Sequence, residues 1–67
     1  MNTLTDTNSL IAIARAVKNE NSNIRLGAIS GAENISAAER WRIISPLLVD
    51  KVLVVRSEAA RILMPLW

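Results

Sequence analysis

The apolar positions of this chain recur with helical spacing, and polar clusters cut them into four groups. Leu10, Ile13, Ala14 and Val17 share one helix face and follow a run of cap- and turn-prone residues, Thr5 to Ser9. Arg15 and Lys18 sit near the end of that helix, where cations suit its dipole. Asn19-Glu-Asn-Ser-Asn23 breaks the pattern, because Asn and Ser side chains compete for backbone hydrogen bonds. A second helix resumes at Ile24, Ala28, Ile29 and Ala32. Gly27 and Gly31 stand four apart on one of its faces, which predicts the close approach of another helix there. Glu33-Asn34 reads as a stop, with Gly31 as an alternative start of the helix end.

Ser36-Ala-Ala-Glu39 reads as a capping box. The Ser36 hydroxyl accepts from the amide of Glu39, whose carboxylate reaches back to the amide of Ser36. The helix it opens places Trp41, Ile44, Leu47 and Leu48 inward, with Arg40 and Arg42 outside. Pro46 falls inside it, removes the bond to the carbonyl of Arg42 and predicts a kink. Asp50-Lys51 marks a turn. The last helix, 52–64, puts Val55, Ala59, Ile62 and Leu63 inward and Arg56, Glu58 and Arg61 on its polar side, and Pro65 ends it. The fold class is therefore all-α, four helices in two hairpins.

Sliding the chain against itself by 31 residues superposes the two halves, 4–34 on 35–65. Leu10 falls on Trp41, Ile13 on Ile44, Val17 on Leu48, Asn19 on Asp50, Arg25 on Arg56 and Ala28 on Ala59. The match lies in the apolar pattern and the turn, not in identities. An Arg at the start of a second helix needs a partner when it is buried, and the acid six positions earlier is the nearest candidate. Asp50 and Arg56 then make a charge-assisted pair that ties the turn down. Asn19 and Arg25 make only a neutral version, so the first unit is expected to be held less tightly. The other reading leaves Arg25 and Arg56 as solvated surface cations; on either, their role is structural.

Asp50-Lys-Val-Leu-Val-Val-Arg56-Ser-Glu-Ala-Ala-Arg-Ile-Leu63 resembles the turn and second helix of a HEAT-type repeat. Asn23-Ile-Arg25-Leu-Gly-Ala28 is a weaker copy, with Asn19 where that family has an acid. Pro46 matches a place where HEAT first helices commonly kink. Residues 24–63 also resemble the HEAT-like repeats of certain bacterial tetratricopeptide proteins, some of them linked to multihaem cytochromes. The resemblance implies two hairpins stacked as a short right-handed α-solenoid that serves as a scaffold for protein–protein interaction. Haem has no place here, since its attachment needs a Cys-x-x-Cys-His and the chain has neither residue type.

Composition narrows the chemistry. The 67 residues contain no His, Cys or Tyr, so the usual neutral-pH acid–base group, the thiol and the phenol are missing. The soft metal ligands go with them. No catalytic, cofactor or metal residue is expected: Glu39, Glu58 and Asp50 each have a simpler duty as cap, surface charge or turn anchor. The net charge is +2, and the eight cations are interleaved with acids along the chain. A nucleic-acid binder clusters its cations, so a module using the scattered arginines is only the alternative function. The polar start and the short apolar runs suggest a cytoplasmic protein with no membrane span.

Two units fall short of the three or more that solenoids generally need, and the last helix has no polar cap after it. Its apolar edge, Leu53, Ile62, Leu66 and Trp67, is the candidate interface. It is expected to meet a second copy, another protein, or sequence belonging to a longer chain.

Overall fold

A computed structural model describes residues 7–64. They form four α-helices: α1 Thr7–Val17, α2 Ser22–Gly31, α3 Ala37–Ile44 and α4 Leu53–Leu63. Two short 3₁₀ segments, Ala32–Asn34 and Ser45–Val49, follow α2 and α3. No strand occurs among the described residues. The four helices and their order agree with the periodicity. The molecule measures 36 × 27 × 14 Å, and its least dimension admits two helix layers, since packed helices lie about 8–10 Å apart.

Local chemistry explains the boundaries. Asn21 caps α2, its side chain accepting from the amide of Asn23 at 2.8 Å. Ser36 caps α3 in the same way, accepting from the amide of Glu39. The reciprocal half of the capping box is absent, because the Glu39 carboxylate turns outward to Arg42, accepting from its Nε at 2.8 Å. At Pro46 the helix does not continue bent; it tightens into the 3₁₀ segment, with Pro46 in its first turn. A proline lacks the amide an α-helix needs, and a short 3₁₀ run tolerates that loss at its start.

The core joins α2, α3 and α4 through Ile29, Ala32, Ile35, Ile43, Ile44, Leu47, Val55, Ala59, Ile62 and Leu63. Helix α1 has no buried residue; Leu10, Ile13 and Val17 lie half-buried against that core. Gly31 does admit a neighbour, since a Cβ there would stand 3.4 Å from Ile13 Cγ1. Gly27 does not, because open space surrounds the place of its Cβ.

Trp41 corrects the sequence reading: 41% of it is exposed, so it does not belong to the core. The inward stripe of α3 is Arg40, Ile43 and Ile44, an i, i+3, i+4 series that Leu47 of the following 3₁₀ segment continues and that leaves Trp41 on its flank. Ile62 points inward as its spacing predicts, 7% exposed and packed in the core; its place on the candidate interface is thereby corrected, whereas Leu53 is 66% exposed. Leu66 and Trp67, the rest of that candidate edge, lie outside the described residues.

Candidate functional site: two arginine-tied turns and the face between α2 and α4

The two turns that lead into α2 and α4 use the same bonds 31 residues apart. In the first, Arg25 Nη1 donates to the carbonyl of Asn19 at 2.8 Å, and Asn19 Oδ1 accepts from the amide of Asn21 at 2.8 Å. In the second, Arg56 Nη1 donates to the carbonyl of Asp50 at 2.7 Å, and Asp50 Oδ2 accepts from the amide of Val52 at 2.8 Å. Each turn is thus closed twice, once by a side chain capping the amide two residues on and once by an arginine reaching back six residues to a carbonyl.

This geometry corrects the expected side-chain pairs. Arg56 takes the backbone oxygen of Asp50, not its carboxylate, and Arg25 takes the backbone oxygen of Asn19. The carboxylate of Asp50 belongs instead to Arg25 of the first hairpin. Arg25 Nη2 donates to Asp50 Oδ2 at 3.0 Å, and Nε lies 2.7 Å from Oδ1 in an ion contact that is not directed as a hydrogen bond. Nη1 also donates to the carbonyl of Glu20 at 3.0 Å. The two side chains retain only 6% and 7% of their exposure. The charged pair thus ties the two turns to each other and not the second turn to itself. The first turn carries the buried arginine, and Arg56 is only half-buried.

The Arg25 guanidinium holds the Asp50 carboxyl below its ordinary pKa, and the amide of Val52 acts in the same direction against the opposing effect of burial. A carboxylate so held is an acceptor only, suited to anchoring two hairpins together.

Arg40 is the residue the sequence reading missed. From α3 its Nε donates to the carbonyl of Ala32 at 2.8 Å, and its Nη2 to those of Ile35 at 3.1 Å and Glu33 at 3.3 Å. It closes the carbonyl end of the α2 segment, which leaves acceptors without partners as every helix end does. The signal was its place on the stripe with Ile43, Ile44 and Leu47.

Arg61 bridges the hairpins at the surface, donating from Nε to Glu58 Oε1 at 3.0 Å and from Nη2 to Glu33 Oε2 at 3.1 Å. Beside it a groove of about 310 Å³ runs between α2 and α4, with Leu26, Ile29 and Val54 as its floor and Ser30, Glu58 and Arg61 as its rim. A second groove, about 440 Å³, lies between α1 and α3 over Val17, Ile43, Pro46 and Leu47, edged by Lys18 and Arg42.

The three carboxylates considered for chemistry are all engaged: Glu39 with Arg42, Glu58 with Arg61 and Asp50 with Arg25. Among the described residues no acid cluster is placed to hold a metal ion, and no helix is long and apolar enough to cross a membrane. No family model, curated protein or solved structure matches the chain.

Proposed function

We propose that this chain is a non-enzymatic helical-repeat scaffold that binds protein, built of two HEAT-like hairpins stacked as a short right-handed α-solenoid. The observation that carries this reading is the repeated turn. Asn19, Asn21 and Arg25 make the same bonds as Asp50, Val52 and Arg56, at the 31-residue offset of the apolar pattern. A repeated unit whose side chains reach into its neighbour's turn is the construction of a solenoid, and solenoids present extended faces to partners. The α2–α4 groove, an apolar floor with a polar rim, is the binding surface we assign to it.

The arginines support a protein partner over a nucleic acid. Arg25, Arg40 and Arg56 are turned onto carbonyls, and Arg42 and Arg61 are paired with Glu. Arg15, Lys18 and Lys51 are left at the surface, too few and too dispersed for a phosphate-tracking stripe.

The test is to place a photo-crosslinking residue at Ser30 and identify what it captures in cells. The captured polypeptide is then purified and titrated against wild type and Val54→Asp. The proposal expects one protein, bound by wild type and lost with Val54→Asp. Capture of nucleic acid, with affinity falling steeply as salt rises, would hand the function to the alternative.

A further inference from the structure

Equivalent positions in the two hairpins differ in burial in a consistent direction. Val55 is fully buried while its counterpart Ile24 is 43% exposed, because the first hairpin covers one side of the second and nothing described covers that side of the first. On the opposite side the order reverses. Ile29 is 2% exposed and Arg25 5%, under the cover of the second hairpin, while their counterparts Ala60 and Arg56 are half-buried. Leu53 and Ala60 of α4 and Met64, which caps its end in helical conformation, stand at i, i+7 and i+11 and so share that uncovered side, with Leu53 and Met64 66% and 53% exposed.

Arg56 shows what such a side accepts. Its Nη1 is fixed on the carbonyl of Asp50 just as Arg25 Nη1 is fixed on that of Asn19. The rest of the Arg25 guanidinium meets the Asp50 carboxylate, which the next hairpin supplies from its turn. Arg56 has the same anchoring bond, and the described residues place no carboxylate on its remaining nitrogens.

We propose that the outer side of α4, centred on Arg56 and flanked by Leu53, Ala60 and Met64, is a docking seat for a helical hairpin of another polypeptide that carries an acidic residue in its turn. The inference deepens the scaffold reading and rests on it. It names one partner surface by continuity with the contact between the two hairpins and by charge: a cation with one anchored nitrogen beside exposed apolar side chains. A second copy of this chain is the wrong partner, because its matching turn offers the neutral Asn19. The same chain becomes a suitable probe once Asn19→Asp supplies the acid.

In the test, Asn19→Asp/Leu53→Glu is titrated into wild-type chain by sedimentation velocity, with Leu53→Glu alone as the neutral-turn probe. The Leu53→Glu change blocks each probe's own seat, so that one complex forms instead of a polymer. The acidic probe is expected to bind on the order of tenfold or more tightly than the neutral one, as close charge pairs across an interface do. The difference should vanish when the receiving chain carries Arg56→Gln, whose fold is checked by circular dichroism. Equal binding of the two probes, or a preference that survives Arg56→Gln, overturns the proposal, as does an absence of binding by both. Any of these outcomes leaves the scaffold reading standing if the α2–α4 groove still binds its captured partner. Loss of that groove binding alone sinks the scaffold reading.

Discussion

Replacing Arg25 by Met should cost far more stability than replacing Arg56 by Met, although the two arginines occupy equivalent positions. Arg25→Met removes three directed hydrogen bonds and an ion contact, and it leaves the Asp50 carboxylate buried without its cation. Deleting one partner of a buried pair costs about 3–5 kcal/mol. Arg56→Met removes one described hydrogen bond, from a charged donor to a carbonyl, which corresponds to roughly 1.5–3 kcal/mol at most. A domain of this length has a total stability of about 3–10 kcal/mol, so both changes are measurable and the first takes the larger share. The assay is urea unfolding followed by far-UV circular dichroism, with wild type, Arg56→Met, Arg25→Lys and Arg25→Met in one series. Arg25→Lys keeps the charge but loses the planar fork, so it should fall between wild type and Arg25→Met. It also keeps the comparison readable if Arg25→Met unfolds outright. An Arg56→Met variant as damaged as Arg25→Met would refute the reasoning, since it would mean that the Asp50 carboxylate depends on Arg56.

Further outcomes follow from the same contacts. The Asp50 carboxyl has a lowered pKa when folded, so its contribution is complete above the unfolded value of about 3.9 and drains away as pH falls below it. The urea midpoint of wild type should therefore decline below that pH, and Asp50→Asn should flatten the decline while starting from a lower midpoint. Gly27→Ala should raise stability by about 0.5–1 kcal/mol, since the site is helical, exposed and open around the added methyl; a lowered thermal midpoint would contradict the open space described there. Ile44→Ala, at a fully buried position, should cost about 2–5 kcal/mol in chemical denaturation, and Trp41→Ala well under half of that. Equal losses would place Trp41 back in the core. Ser36→Ala should cost about 1 kcal/mol through the lost cap, measured in the same way.

The helices were legible because their apolar spacing and their caps point the same way. Ser36 announced a helix start and the 31-residue offset marked the two turns, whereas the cap at Asn21 was hidden in a stretch read only as a break. What the sequence hid was partner choice across the hairpins. Arg25 and Asp50 lie 25 residues apart, and nothing in either local pattern says that the carboxylate answers the other unit's arginine. Trp41 was misplaced for a related reason. Its size draws attention to one phase of α3, but the stripe that includes Arg40 is the buried one, and an arginine is readily taken for a surface residue. Long cations bury their stems while their heads find carbonyls, so charge alone is a poor guide to side. Ile62 was legible from the helical period, which puts it inward as found; only its second assignment, to the open edge, fails.

Arg40 bears on how this chain acquires its shape as it is synthesised. The carbonyls of Ala32 and Glu33, at the end of the first hairpin, receive side-chain donors from Arg40 of the second. While only the first half has left the ribosome, that hairpin has neither its closing donor nor the apolar cover that α3 and α4 later bring. The final packing of the amino-terminal hairpin thus depends on residues that emerge after it.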